Sequence, residues 1–115
     1  MSAHPPPLGA LTIDLVQDNG TASLALEGEL DIASAPALEE RLSAVENDHP
    51  ARVVIDMTGL AFIDSTGLRV LLQANARAGD GAHELVLRPG ADAVQRVFET
   101  TGVFAAFHFE PVSTG

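Results

Sequence analysis

Asp64-Ser65-Thr66-Gly67 interrupts an apolar run, Ala61-Phe62-Ile63, and precedes Leu68, where apolar residues begin to recur at helical spacing. A carboxylate and two hydroxyls at such a junction have two kinds of chemistry open to them. They can cap the helix by accepting a backbone N–H, an interaction worth ~1 kcal/mol. They can also present a hydroxyl for phosphorylation, because the free amides and dipole of a helix N-terminus tolerate added negative charge. Capping by one of these residues does not exclude the second role in another. Asp31, which follows Gly28-Glu29-Leu30, has a similar pair of readings: a turn residue or a functional carboxylate.

Nucleophilic catalysis asks for more than a serine. It needs a base within hydrogen-bond reach, and the histidines, at 4, 49, 83 and 108, are scattered. No Gly-x-Ser-x-Gly elbow is present. The chain has no Cys, hence no disulfide, thiolate metal site or thiol nucleophile. It has no Lys, which removes Schiff-base chemistry and a Walker-type phosphate loop. The residues therefore argue against an enzyme, a bound metal or a cofactor. A formal net charge of −10 argues against direct nucleic-acid binding and against anionic membrane surfaces. No apolar stretch approaches the ~20 residues of a membrane span. The N-terminus, Met1-Ser2-Ala3-His4-Pro5-Pro6-Pro7, lacks a basic region and a signal-type apolar block, so a cytoplasmic location is expected.

The 115 residues, 46% of them hydrophobic, suffice for one domain with a proper core. Leu11-Thr12-Ile13-Asp14-Leu15 and Ser23-Leu24-Ala25-Leu26-Glu27 both alternate, and Asn19-Gly20 between them is a strong hairpin signal. Leu38, Leu42 and Val45 recur at helical spacing after Ser34, a candidate cap, and Pro36; Asn47-Asp48-His49-Pro50 stops that helix. Arg52-Val53-Val54-Ile55-Asp56 is apolar on both faces and reads as a central, parallel strand. Leu68, Leu71, Leu72 and alanines 74, 76 and 78 build a second helix, ended by Gly79 and Gly81. Glu84-Leu85-Val86-Leu87-Arg88 is a further strand. Asp92 is a candidate cap for a third helix with Val94, Val97 and Phe98 inward and Gly102 just past its end. Phe107-His108-Phe109 alternates as a last edge strand would.

The fold class is therefore α/β, with a mixed, mostly parallel sheet that opens on an antiparallel hairpin and is packed by helices. In such sheets, sites form beyond the carboxyl ends of the parallel strands. Asp31, Asp64-Ser65-Thr66 and Arg88-Pro89-Gly90 should then gather at one edge, with Asp31 close to Ser65, while His83 should lie at the opposite edge.

Four stretches carry a resemblance. They are Gly28-Glu29-Leu30-Asp31, Val53-Val54-Ile55-Asp56-Met57, Phe62-Ile63-Asp64-Ser65-Thr66-Gly67-Leu68 and Val97-Phe98-Glu99-Thr100-Thr101-Gly102-Val103. In this order and with these gaps, residues 11–110 resemble the STAS domain, specifically a bacterial anti-sigma factor antagonist (anti-anti-sigma factor). Residues 1–10 and 111–115 are then expected as tails. The resemblance implies that the unphosphorylated form captures an anti-sigma factor, usually a serine kinase, and frees the sigma factor. Phosphorylation of the serine after an Asp, here Ser65 with Thr66 as its neighbour, switches the antagonist off, and a phosphatase resets it. The partner-binding residues so implied are Asp31, Asp64, Ser65, Thr66, Gly67, Leu68 and Arg69. STAS domains also serve as subunits of phospholipid-transport complexes and stress-signalling scaffolds, which need not be phosphorylated. A reading of another class is nucleotide binding or weak hydrolysis at the same edge, for which the sequence offers no phosphate loop.

Overall fold

The computed structural model describes residues 10–110, so the expected tails lie outside the described residues apart from Ala10. The chain opens on a hairpin, β1 (Leu11–Asp18) and β2 (Thr21–Leu30). Asn19 and Gly20 sit at φ 51° and 81°. A two-residue turn with both φ values positive twists in the sense of the strands it joins, which is why Asn-Gly closes it. The register pairs Ile13 with Leu26 and Leu15 with Leu24, so the apolar positions of both strands turn to one face.

β2 pairs in parallel with β3 (Arg52–Ile63), and β3 in parallel with β4 (Glu84–Arg88). The strands stand in sequence order, β1-β2-β3-β4. Helix α1 (Ala35–Asn47) links β2 to β3, α2 (Ser65–Arg77) links β3 to β4, and α3 (Asp92–Thr100) follows β4. Crossovers of one hand, taken in one direction across the sheet, put their helices on the same face. Leu38 and Leu42 of α1, Leu71 of α2 and Val94 and Phe98 of α3 accordingly share a single buried core with Leu24, Ile55, Met57 and Leu87 of the sheet. On the far face Val54 and Val86 are register partners and both are buried, so β3 is covered on two sides there. Arg77 and Glu46 form a two-pronged ion pair at 2.9 and 3.0 Å, which ties the C-terminal ends of α2 and α1 together.

Three local expectations give way. Asp92 is not the cap of α3: Ala91 holds that position, and Asp92 lies in the first turn, where its charge meets the positive end of the dipole. The expected last strand shrinks to one bridge, Leu87 with Phe109, held by Leu87 N–H to His108 O at 2.9 Å and Glu110 N–H to Leu87 O at 2.8 Å. Phe104–Ala106 first coil into a short turn, and Phe107 and Phe109 then pack edge-on to Phe98, both at 5.3 Å between ring centres. Side-chain burial, rather than a backbone ladder, anchors this segment. Finally, α2 is followed by a wide turn, Ala78–Ala82, in which Gly81 alone takes positive φ, 90°.

Candidate functional site

Leu30 and Ile63 are register partners at the carboxyl ends of β2 and β3. The residues that follow them, Asp31 and Asp64, therefore leave the sheet side by side. Asp64 caps a helix, and Asp31 holds the turn that leads into one.

Asp31 is buried and forms a reciprocal box with Ser34. Its Oδ1 accepts the N–H groups of Ala33 (3.0 Å) and Ser34 (3.1 Å), and its own N–H donates to Ser34 Oγ at 2.9 Å. Two donors at the entrance of α1 are satisfied at once. The hydroxyl expected to cap α1 reaches back instead of forward: Ser34 Oγ donates to Glu29 O at 2.8 Å and makes no cap bond to α1, although Ser34 holds the cap position. Asp64 caps α2 from extended backbone, with Oδ1 accepting Gly67 N–H at 3.0 Å. Its second oxygen accepts Ile32 N–H, from the turn before α1, at 3.2 Å. Asp64 N–H donates to Leu30 O at 3.1 Å. One carboxylate therefore holds the entrances of two helices.

Hydrogen bonds to ionised carboxylates are stronger than neutral ones. Removing Asp64 should accordingly cost more than an ordinary cap, about 1.5 kcal/mol. We expect Asp64→Ala to lower the urea midpoint by that equivalent, with Asp64→Asn intermediate because an amide oxygen can replace one acceptor but not both. An Asp64→Ala protein as stable as wild type would contradict the double role.

Gly67 fits because nothing larger does. A Cβ there would lie 2.6 Å from Leu30 Cγ and 2.8 Å from Leu30 O. Leu68 is buried beside it. Of the seven residues implied as partner-binding, Asp31, Gly67 and Leu68 thus turn inward and shape the surface from beneath. Ser65 and Arg69 are exposed, and Thr66 and Asp64 are half-buried. Among the described residues no hydrogen bond holds the Ser65 hydroxyl. The N–H groups of Ser65 and Thr66 have no hydrogen-bond partner among those residues, whereas Gly67, Ile32, Ala33 and Ser34 have given theirs to the two aspartates.

The third segment expected at this edge is elsewhere. Arg88 is the register partner of Asp56, seven residues before the end of β3, roughly 20 Å along the strand. There Arg88 Nε donates to Glu110 Oε1 at 2.8 Å, a bond that raises the arginine above its ordinary pKa, and Arg88 also pairs with Asp56 at 3.3 Å. His83 precedes β4, whose first N–H (Glu84) bonds Ala51 O, and so lies at the opposite end of the sheet from Ser65. His4 lies outside the described residues. No described helix is long and apolar enough to cross a membrane.

Two exposed apolar residues stand out at this end of the sheet. Ile32 is 73% exposed and Phe62 48%. β4 pairs with β3 only as far as Asp56, well short of Phe62; the one legible signal was an isoleucine in the turn directly after Asp31. Between α1 and α2 runs a groove of about 350 Å³, lined by Ile32, Ala35, Pro36, Glu39, Thr66, Arg69, Val70 and Gln73. It begins at the capped helix entrances.

Known proteins are similar to this chain in sequence and fold. The model of the STAS domain family matches residues 12–114. The anti-sigma-F factor antagonist RsfB of Mycobacterium tuberculosis is 33% identical over 82 residues, 71% of this chain and 67% of that protein. The crystal structure of an anti-sigma factor antagonist from Mycobacterium paratuberculosis superposes with a TM-score of 0.79 at 29% identity, covering 91% of this chain and 89% of that one. The Bacillus cell fate determinant SpoIIAA in its phosphorylated form has the same fold, with a TM-score of 0.65 at 19% identity over 89% of this chain and 92% of that one. With the family match running from the first strand past the last described residue, and one mixed sheet carrying its helices on a single face, this chain belongs to the STAS domain family.

Proposed function

We propose that this protein is a cytoplasmic anti-sigma factor antagonist whose docking surface surrounds Ser65 and whose state is set by phosphorylation of that serine. The unphosphorylated form binds an anti-sigma factor that is also a serine kinase, and the sigma factor is released. The role is one of binding, with no chemistry performed by this chain. The observation that carries the reading is the Ser65 side chain: exposed, with a hydroxyl unbonded among the described residues, and set on the first turn of a helix whose cap is already tied to a second helix. Exposed Ile32 supplies apolar surface nearby, and it lines the adjoining groove with Thr66 and Arg69. The relatives named as anti-sigma factor antagonists, and SpoIIAA with its phosphorylated form, support the same assignment.

In the kinase step the Ser65 Oγ–P bond forms as the bond from the γ-phosphorus of ATP to its bridging oxygen breaks. ADP leaves, and the hydroxyl proton passes to a base of the kinase. A phosphatase returns the hydroxyl by hydrolysis. The product carries roughly −1.5 to −2 further charge at neutral pH, placed beside Asp64 and near Asp31. Because the two aspartates occupy four of the surrounding amides, the backbone N–H groups left to the phosphate among the described residues are those of Ser65 and Thr66. The added charge therefore acts on the surface presented to the partner more than on the fold.

The experiment is direct. Incubated with ATP and the anti-sigma kinase that copurifies with it, the protein gains one phosphate, located at Ser65 by mass spectrometry, and Ser65→Ala gains none. Full labelling of Ser65→Ala at Thr66 would move the acceptor by one residue. A copurifying partner set of transport or scaffold proteins, with no phosphate on wild type, would replace the switch by an unregulated binding role.

A further inference from the structure

Three of the six arginines, Arg52, Arg77 and Arg88, are committed to acidic partners. Arg69 is exposed and makes no ion pair among the described residues. It stands four residues after Ser65 on α2. Residues at that spacing lie on one helix face, one turn apart, and an anion placed N-terminal to a cation is the favourable order. Long side chains in helices point back toward the N-terminus, which puts Ser65, one turn earlier, within the natural reach of the Arg69 side chain. Its guanidinium offers the planar fork that matches phosphate oxygens. The other charged side chains around the position are Asp64 at the helix cap, Asp31 in the turn before α1 and Glu39 across the groove, all acidic.

We infer that Arg69 is the intramolecular partner of a phosphate on Ser65, so that modification adds an anion at the rim of the α1–α2 groove and withdraws the guanidinium lining it. This rests on Ser65 being the acceptor. Phosphorylation then changes the groove twice. In the unmodified protein a partner meets a hydroxyl and an unpaired arginine; in the modified protein it meets a bulky anion whose pairing has engaged that arginine. The pair also offsets part of the repulsion between phosphate and the aspartates, which keeps the entrance of α2 folded.

The test needs no kinase, and so stands apart from the switch itself. Phosphoserine is inserted at position 65 during translation, in wild type, R69Q and R69K backgrounds, and the second ionisation of the phosphate is followed by phosphorus NMR. The expected result is a phosphate pKa about half a unit higher in R69Q than in wild type, since removing a nearby cation disfavours the dianion. R69K falls between them, because it keeps the charge without the fork. The difference shrinks in 1 M salt, as the interaction is solvent-exposed. Equal values in wild type and R69Q, or a shift indifferent to salt, would overturn the pairing. If the shift is present but no kinase labels Ser65, the pairing stands and the phosphorylation reading fails, so the two failures are told apart.

Discussion

If the proposed switch holds, phosphate on Ser65 is expected to lower the affinity for the anti-sigma partner about 100-fold, the equivalent of ~2.7 kcal/mol, while the melting temperature of the isolated protein stays within a few degrees of wild type. The asymmetry follows from where the charge falls. In the free protein the modified serine is exposed, and water and salt screen it. In the complex the same charge is desolvated against Asp64 and the partner, where an imperfectly paired ion costs several kcal/mol. Ser65→Asp brings one charge instead of nearly two and less bulk, so it shows a partial loss, roughly tenfold, with near-normal stability because Asp is itself compatible with the first turn of a helix. Titration calorimetry on the three forms, paired with thermal melts, reads both quantities. Unchanged affinity in the phosphorylated form would remove Ser65 from the docking surface. A collapse in stability that matches the loss of binding would mean that the phosphate unfolds the site instead of blocking it.

We expect Gly67→Ala to destabilise the protein by about 1–2 kcal/mol, the overpacking cost less the helix gain. Two effects oppose each other. Alanine favours helix over glycine by ~1 kcal/mol. Against this, its Cβ would sit 2.6 Å from the branched carbon of Leu30 and 2.8 Å from the Leu30 carbonyl oxygen. That oxygen also accepts the Asp64 N–H, and Leu30 is fully buried, so neither atom can retreat without moving β2 or the cap. Overpacking of this kind costs about 1–3 kcal/mol and occasionally more, which outweighs the helix gain. Urea denaturation gives the number, and Thr66→Ala, one residue away and half-buried, is the control with a change below about 1 kcal/mol. Because Gly67 sets the distance between α2 and the end of β2, Gly67→Ala should also weaken the partner complex. Wild-type stability in this variant would show that the close approach to Leu30 is looser than the geometry described.

Much of the scaffold was legible because its determinants are local. Asn19-Gly20 sets positive φ at two successive residues, and only one kind of hairpin turn uses that. Leu38, Leu42 and Val45 mark the buried face of α1 by spacing alone, and all three are buried. Strands separated by helices implied parallel pairing, and β2, β3 and β4 pair so. Where two neighbours competed for one local role, the sequence was ambiguous. Asp31 and Ser34 are both good caps; Ser34 holds the cap position without a side-chain bond to α1, its Oγ instead accepting Asp31 N–H, while the Asp31 carboxylate holds the preceding turn. Asp92 lost its expected place to Ala91 for want of any such side-chain bond at that end.

The juxtaposition of Asp31 with Asp64-Ser65 was determined by sequence order and the rule that sites lie beyond parallel strand ends. Strand length was not. β4 ends opposite Asp56 while β3 runs on to Ile63, and this inequality removes Arg88 from the site. No pattern within Glu84–Arg88 states how far its neighbour will extend, because that depends on β2, which pairs with β3 along its whole length. Likewise the sequence determined that Asp64 could cap a helix, but only the packing of α1 beside α2 decided that its second oxygen would hold Ile32 N–H. Capping is a contact between residues three apart in the chain; the tie to Ile32 spans 32 residues and exists only once the sheet has brought two helix entrances together.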